Sequence, residues 1–270
     1  MNQELRKKIY KVPALYYLCQ KAVEASNMHF YKSFCKKTDN LERIKSLKNK
    51  HSGERCFIVG NGPSLTMEDL DLIKNEDCFA ANLIFRIFDK TAWRPKYYFV
   101  LDRYADTGDA LDSIQLEYMF IGDYYWRVRG MNNPNAICVH SVRSHSDNEI
   151  EFSEEISKVL IAHYTVTYAM IQTAVYMGYK EIYLLGMDHS YALTYDSKGN
   201  VTEDKTVTSH IFEDKNPREV IANIEGMNKA YIGARDYAKS HGIKIINTTR
   251  GGRLEWFPRK SLEEILINEN

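Results

Sequence analysis

The hydrophobic pattern of this chain changes character near residue 54. Beyond it, short apolar runs recur at 55–60, 77–82, 96–102, 118–123, 136–141, 181–188 and 244–249, each bounded by polar or glycine-rich stretches. Runs of this length, rich in β-branched and aromatic residues, predict strands. Helical stretches lie between them. One starts at Thr66, with Asp69 as its capping-box partner. A second spans 165–177. A third is predicted over 217–240, with Asn216 as N-cap, Pro217 at the first helical position and Glu219 completing a capping box. Such alternation predicts an α/β fold: a mostly parallel sheet with helices on both faces.

Before residue 54 the pattern is different. Leu5, Ile9, Val12, Tyr16, Cys19 and Val23 form a helical stripe, and Pro13 sets the start of the continuous helix. The chain therefore divides into a helical arm at 1–50 and one domain at 51–270. Charge sharpens that division. The arm carries 12 Lys+Arg against 4 Asp+Glu, and the remainder 24 against 32, so a net of +8 is joined to a net of −8. A basic arm suits an anionic surface; packing or an oligomer contact is the first expectation and peripheral membrane contact the second.

Composition narrows the class further. The 270 residues are 44% hydrophobic, enough for one large core. No run approaches the ~20 apolar residues of a membrane span, and no secretory signal opens the chain. The five cysteines, Cys19, Cys35, Cys56, Cys78 and Cys138, are unclustered and sit mostly in apolar runs, as reduced core thiols do. These features predict a cytoplasmic protein, with contact at the inner face of the membrane only as the second expectation for its arm.

Open α/β sheets bind ligands outside the carboxyl ends of their strands. Here those ends read Asn61, Asn82, Asp102, Asp123, Ser141, Asp188 and Thr248-Thr249. Gly60-Asn61-Gly62-Pro63-Ser64-Leu65 follows the first strand, but Leu65 stands where a dinucleotide fingerprint needs its third glycine, and Asn82 where it needs an acid. No Gly-Lys-Ser/Thr of a phosphate-binding Walker loop follows. What remains is a loop whose amides can surround a phosphate or ribose, with Asn61 and Ser64 as side-chain donors; a tight structural turn is the alternative. Thr165 and Thr167 open an apolar helix, where hydroxyls and free amides can hold an anion. Asp188 ends its strand before a loop carrying Tyr191 and Tyr195. His210 is the candidate general base, with His140, His145, His163 and His189 as competitors.

The segments FIVGNGPSL, FAANLIF, YYFVLD, TVTYAMIQTAVYMGYKEIYLLGMDHSY and SHIF occur in an order that resembles the bacterial CMP-sialic acid-dependent sialyltransferases of glycosyltransferase family 42. They are still more similar to a related hydroxymethylpterin diphosphokinase-like group that includes flagellin-glycosylating motility factors. The resemblance covers about 54–258 and excludes the arm. It implies a single GT-A-like Rossmann domain that binds a cytidine nucleotide through Gly60, Asn61, Gly62, Ser64, Asn82, Thr165 and Thr167. Asp102 falls where the sialyltransferases have an asparagine, and His163 where they have an arginine. Tyr191 and Tyr195, shifted by a residue or more, are the candidates for the tyrosines that bind the leaving phosphate. His210 matches a nearby Ser-His pair, whereas strict counting puts Asp214 at the base position; Asp188 is the second candidate catalytic residue.

The activity so implied is inverting transfer from a CMP-linked, sialic acid-like donor to a cell-surface or lipid-linked glycan, without cofactor or nucleic acid. A CMP leaving group requires no metal in principle, and Asp69-Leu70-Asp71, the one Asp-x-Asp, sits in a predicted helix. Two alternatives stand beside it. One is a diphosphokinase acting on a pterin-like alcohol, with Mg²⁺ on Asp102 and Asp188. The other is a nucleotide-binding module of envelope assembly without turnover.

Overall fold

The computed structural model describes residues 13–102, 105, 107–144, 150–196, 200–212 and 221–267. Each of the seven predicted apolar runs holds one strand of a single parallel sheet. These are β1 (Arg55–Val59), β2 (Cys78–Ala81), β3 (Tyr97–Val100), β4 (Tyr118–Gly122), β5 (Ala136–Val139), β8 (Glu181–Leu185) and β11 (Lys244–Asn247). Their order is β11-β8-β1-β2-β3-β4-β5. The short pair β6 (Ser141–Val142) and β7 (Leu160–Ile161), and the antiparallel pair β9 (Leu193–Tyr195) and β10 (Val201–Glu203), lie outside this sheet. The fold is therefore α/β and Rossmann-like.

Strand pleating explains why both faces are covered. In β1, Cys56 and Ile58 enter one core while Phe57 and Val59 enter the other; β2 divides likewise into Phe79 and Ala81 against Cys78 and Ala80. The first face packs against α2 (Asn40–Lys45), α6 (Val166–Met177) and α7 (Ile224–Ser240). The second packs against α3 (Met67–Leu72), a 3-10 helix (Asn82–Ile87) and α8 (Leu262–Ile267). Two shorter helices, α4 (Ala110–Ser113) and α5 (Asp123–Arg129), complete the helical set.

Helix starts follow the capping signals closely at two places. Thr66 and Asp69 form the reciprocal box, with Thr66 N donating to Asp69 Oδ2 at 2.9 Å and Asp69 N to Thr66 Oγ1 at 3.2 Å. Thr165 caps α6. The third prediction needs correction, because α7 begins at Ile224 with Asn223 as its cap; Asn216, Pro217 and Glu219 lie outside the described residues. Ala222 is the physical reason. It exchanges backbone hydrogen bonds with Leu193 and Tyr195 as an extended neighbour of β9, so helix cannot form through it.

The arm is held by the domain. Its long helix α1 spans Pro13–Lys37. Phe34 packs on Trp126 of α5 with ring centroids 4.9 Å apart, and Tyr31 donates to Ser157 O at 2.7 Å. Asn40 pairs with both backbone groups of Cys138, while Ile44 and Leu47 are fully inside the core. Among the described residues no helix is long and apolar enough to cross a membrane.

Candidate functional site

The strand order reverses between β1 and β8, since β1 leads through β2 to β5 on one side while β8 and β11 lie on the other. Ligands of open sheets bind at such switch points. The Gly60–Ser64 loop ends β1 at this place, and the turn 186–189 ends β8. Gly60 N donates to Leu185 O at 2.8 Å and Gly62 N to Gly186 O at 2.9 Å. A Cβ at Gly60 would stand 2.3 Å from Gly186 O; one at Gly62 would stand 2.7 Å from the same oxygen and collide with the Asp188 carboxylate. What approaches this backbone so closely is the chain's own β8 turn.

Asp188 is held within that contact. Its carboxylate accepts from Ser64 Oγ at 2.7 Å and from Ser64 N at 3.2 Å, and it is 8% exposed. Asp188 therefore fixes the first loop against the second. Arg253 N, donating to Asp188 O at 2.7 Å, closes the turn from a third side.

Beside this junction lie two amides with unmet capacity. Asn61 Oδ1 and Asn82 Oδ1 are both buried and have no hydrogen-bond partner. They are neighbours, because Asn61 Nδ2 reaches Ala81 O at 3.4 Å. Asn82 also adopts the left-handed region at φ 55°, with its carbonyl accepting from the Tyr98 hydroxyl. Buried acceptors are normally satisfied, and each failure costs about 1–3 kcal/mol. Here two such acceptors lie close together at the switch point. The His210 segment is tied to the same spot, as Ile211 N donates to Asn61 O at 2.8 Å. His210 stacks on Phe212 at 5.2 Å, and Phe212 is buried under the Arg86 guanidinium.

A second cluster surrounds the start of α6. Thr165 Oγ1 accepts from Thr167 N at 3.2 Å, and Thr167 Oγ1 donates to Met187 Sδ at 3.6 Å. Tyr231 of α7 adjoins both threonines; burial raises its phenol, and the two neighbouring hydroxyls bring it part of the way back. Tyr191 stands close by. Burial pushes its phenol well above the ordinary value, and the neighbouring Tyr231 and Asp188 add to the rise. Both tyrosines are therefore neutral hydrogen-bonding groups at physiological pH.

The structure thus gathers Gly60, Asn61, Gly62, Ser64, Asn82, Asp188 and the His210 segment around the β1 end, with Thr165, Thr167 and Tyr191 next to the β8 turn. It does not bring Tyr195 or Asp102 into either group. Tyr195 is on β9, paired with Val201, and Asp102 is exposed beyond β3. Asp214 and His145 lie outside the described residues. Tyr231 escaped sequence reasoning because nothing in the α7 stripe distinguishes it from core packing.

Among the described residues, one group could hold a metal ion, namely His51, Glu54 and Asp77. It sits at the opposite, amino-terminal edge of the sheet. Asp77 is already engaged there by Lys96 at 2.6 Å and by the Tyr179 hydroxyl.

Three comparisons with known proteins complete the description. The family model described as MptE-like, 6-hydroxymethylpterin diphosphokinase MptE-like, matches residues 29–194. No curated protein matches the sequence. Among solved structures, the chain is similar to the sialyltransferase CstII from Campylobacter jejuni, determined in complex with the substrate analogue cytidine-5'-monophosphate. The identity is 14%, the coverage 78% of this chain and 86% of that one, and the TM-score 0.34.

Proposed function

This chain belongs to the MptE-like family, described as 6-hydroxymethylpterin diphosphokinase MptE-like, and we propose that it is a nucleotide-dependent glycosyltransferase. Its donor is a CMP-linked, sialic acid-like sugar and its acceptor a cell-surface or lipid-linked glycan. The observation that carries the reading is the pair of unsatisfied amide oxygens of Asn61 and Asn82 at the switch point. Ribose hydroxyls or a base amino group supply the donors these oxygens lack.

In this reading the nucleotide lies across the ends of β1 and β2. The leaving phosphate turns toward the amino terminus of α6, where the helix dipole, the Thr165 hydroxyl and the Tyr191 hydroxyl face developing negative charge. His210 accepts the proton of the attacking hydroxyl, and the sugar is transferred with inversion. Asp188 works as a positioning residue through Ser64. The diphosphokinase alternative is less well supported by the site: the Asp188 carboxylate is engaged by Ser64, and Asp102 follows β3, which β1 and β2 separate from β8.

Thermal melting tests the reading. Cytidine nucleotides at 100 times Kd should add about 2.7 kcal/mol of stability, a rise of about 5–10 °C for a domain of this size, and EDTA should leave the shift intact. Asn61→Ala should abolish most of it while the ligand-free protein melts at the same temperature or higher, since the substitution removes a buried unmet acceptor. A shift produced only by ATP with Mg²⁺ would replace this reading with the diphosphokinase one.

The arm gives this enzyme weak peripheral contact with its acceptor's membrane. Vesicles containing phosphatidylserine should bind the full chain at low salt and release it at 0.5 M salt, because screening shortens the reach of each charge to a few ångströms. Replacing Lys7, Lys8 and Lys11 with glutamate should remove that binding. Equal binding by the variant would leave the arm a purely packing element.

A further inference from the structure

Beyond the β8 turn a cavity of about 270 Å³ opens between His189, Tyr191, Ile224, Asn228, Arg253 and Trp256. Its hydrogen bonding fixes one tautomer. The Trp256 indole can only donate, and Nε1 lies 2.8 Å from Asn228 Oδ1. That atom is therefore the amide oxygen. His189 Nε2 lies 2.8 Å from the same oxygen, so it carries the ring hydrogen. In the neutral ring Nδ1 is then a bare lone pair, and burial favours the neutral ring. Nδ1 is buried without a hydrogen-bond partner, in a side chain only 8% exposed.

His189 is also held at φ 52°, a left-handed conformation that a histidine tolerates but does not prefer. T-shaped contacts with Tyr191 and Tyr231, at 6.0 and 5.4 Å, fix its ring. The arrangement keeps a buried acceptor unmet on a residue that lines the cavity, which also offers a broad aromatic ring. His189 directly follows Asp188, the partner of Ser64, so the cavity adjoins the nucleotide loop.

We propose that this cavity binds the second substrate as a hydroxylated sugar ring, with one hydroxyl donating to His189 Nδ1 and the less polar face lying on Trp256. The assignment rests on the two-substrate transferase reading above. A cavity of about 270 Å³, just under the usual range for small-molecule sites, suits a single ring, with a few polar groups fixing its orientation. Asn228 is the positioning residue, since it sets the tautomer of one wall and the angle of the other.

The test titrates the full chain with galactose, glucose and N-acetylglucosamine in the millimolar range. It follows the side-chain nitrogen resonances of His189 and the emission of Trp256, each assigned by the loss of its signal in the variant. At least one sugar should saturably move both signals, with the Nδ1 resonance moving as that nitrogen gains a hydrogen bond. His189→Phe and Trp256→Phe should each weaken that sugar about tenfold while the cytidine-induced melting shift persists. If His189→Phe does not fold, Trp256→Phe carries the same comparison. No saturable response to any of the three sugars, or unchanged affinity in a folded variant, overturns the proposal. Sugar binding in a protein that ignores cytidine nucleotides would leave this cavity standing and remove the donor assignment instead.

Discussion

Gly60→Ala should destabilise this protein by at least about 3 kcal/mol, the upper range for overpacking a tight interior contact. For a chain of this size that lowers the melting temperature by about 6–12 °C. The added methyl would stand 2.3 Å from Gly186 O and 2.8 Å from Met187 Sδ. The sulfur can swing away, but the carbonyl oxygen belongs to the turn that also accepts from Gly62 N. Relief requires β1 and β8 to separate at their ends, and both are interior strands of the sheet. Gly233→Ala in α7 is the matched control. Its methyl would meet Ile150 and the Tyr168 hydroxyl at an ordinary 3.5 Å, so it should stabilise by about 0.5–1 kcal/mol through helix propensity. If Gly60→Ala melts like the parent and loses only nucleotide binding, the glycine is there for the ligand and the packing argument is wrong.

That experiment addresses the limit of what the glycine spacing conveys. Gly60 and Gly62 announce that something comes close to the backbone, and a phosphate and a neighbouring turn make the same demand on the sequence. Only the pairing of β1 with β8, which brings together residues about 125 positions apart, identifies the visitor as Gly186 to Asp188. The strands themselves were legible because each is a local apolar run, and the caps at Thr66 and Thr165 because they act over three residues.

The α7 start was misplaced for the opposite reason. Its local signal at Asn216 and Pro217 is good, but Ala222 is claimed by β9 through contacts that no helical window includes. Polar strand ends suffered similarly. Asp123 turns out to be bonded to His140 at 2.5 Å, and Thr248 and Thr249 pin backbone groups of β8 and its turn. Asn61 and Asn82 differ from them in being left unsatisfied, which is a property of surroundings and cannot be read from residue type. The His189, Asn228 and Trp256 group unites three elements with no shared periodicity, so sequence could offer His189 only as one histidine among several.

His210→Ala should lower kcat about 10²–10⁴-fold, the usual loss on removing a general base, while cytidine-nucleotide affinity changes little. The segment is anchored independently of the imidazole. Ile211 N donates to Asn61 O, and Phe212 is 8% exposed beneath Arg86. The variant should therefore keep the fold and the donor site. A histidine base must be unprotonated to act, so an acidic limb in the parent's pH–rate profile should vanish from the residual activity of His210→Ala. Asp214→Asn is the necessary partner experiment, because counting along the related sequences favours that position. A folded His210→Ala enzyme with parental kcat and an unchanged pH profile would refute the assignment. Loss of activity in Asp214→Asn at the same time would move the base four residues along the chain, and would leave His210 as the residue that stacks on Phe212 and holds the segment over Asn61.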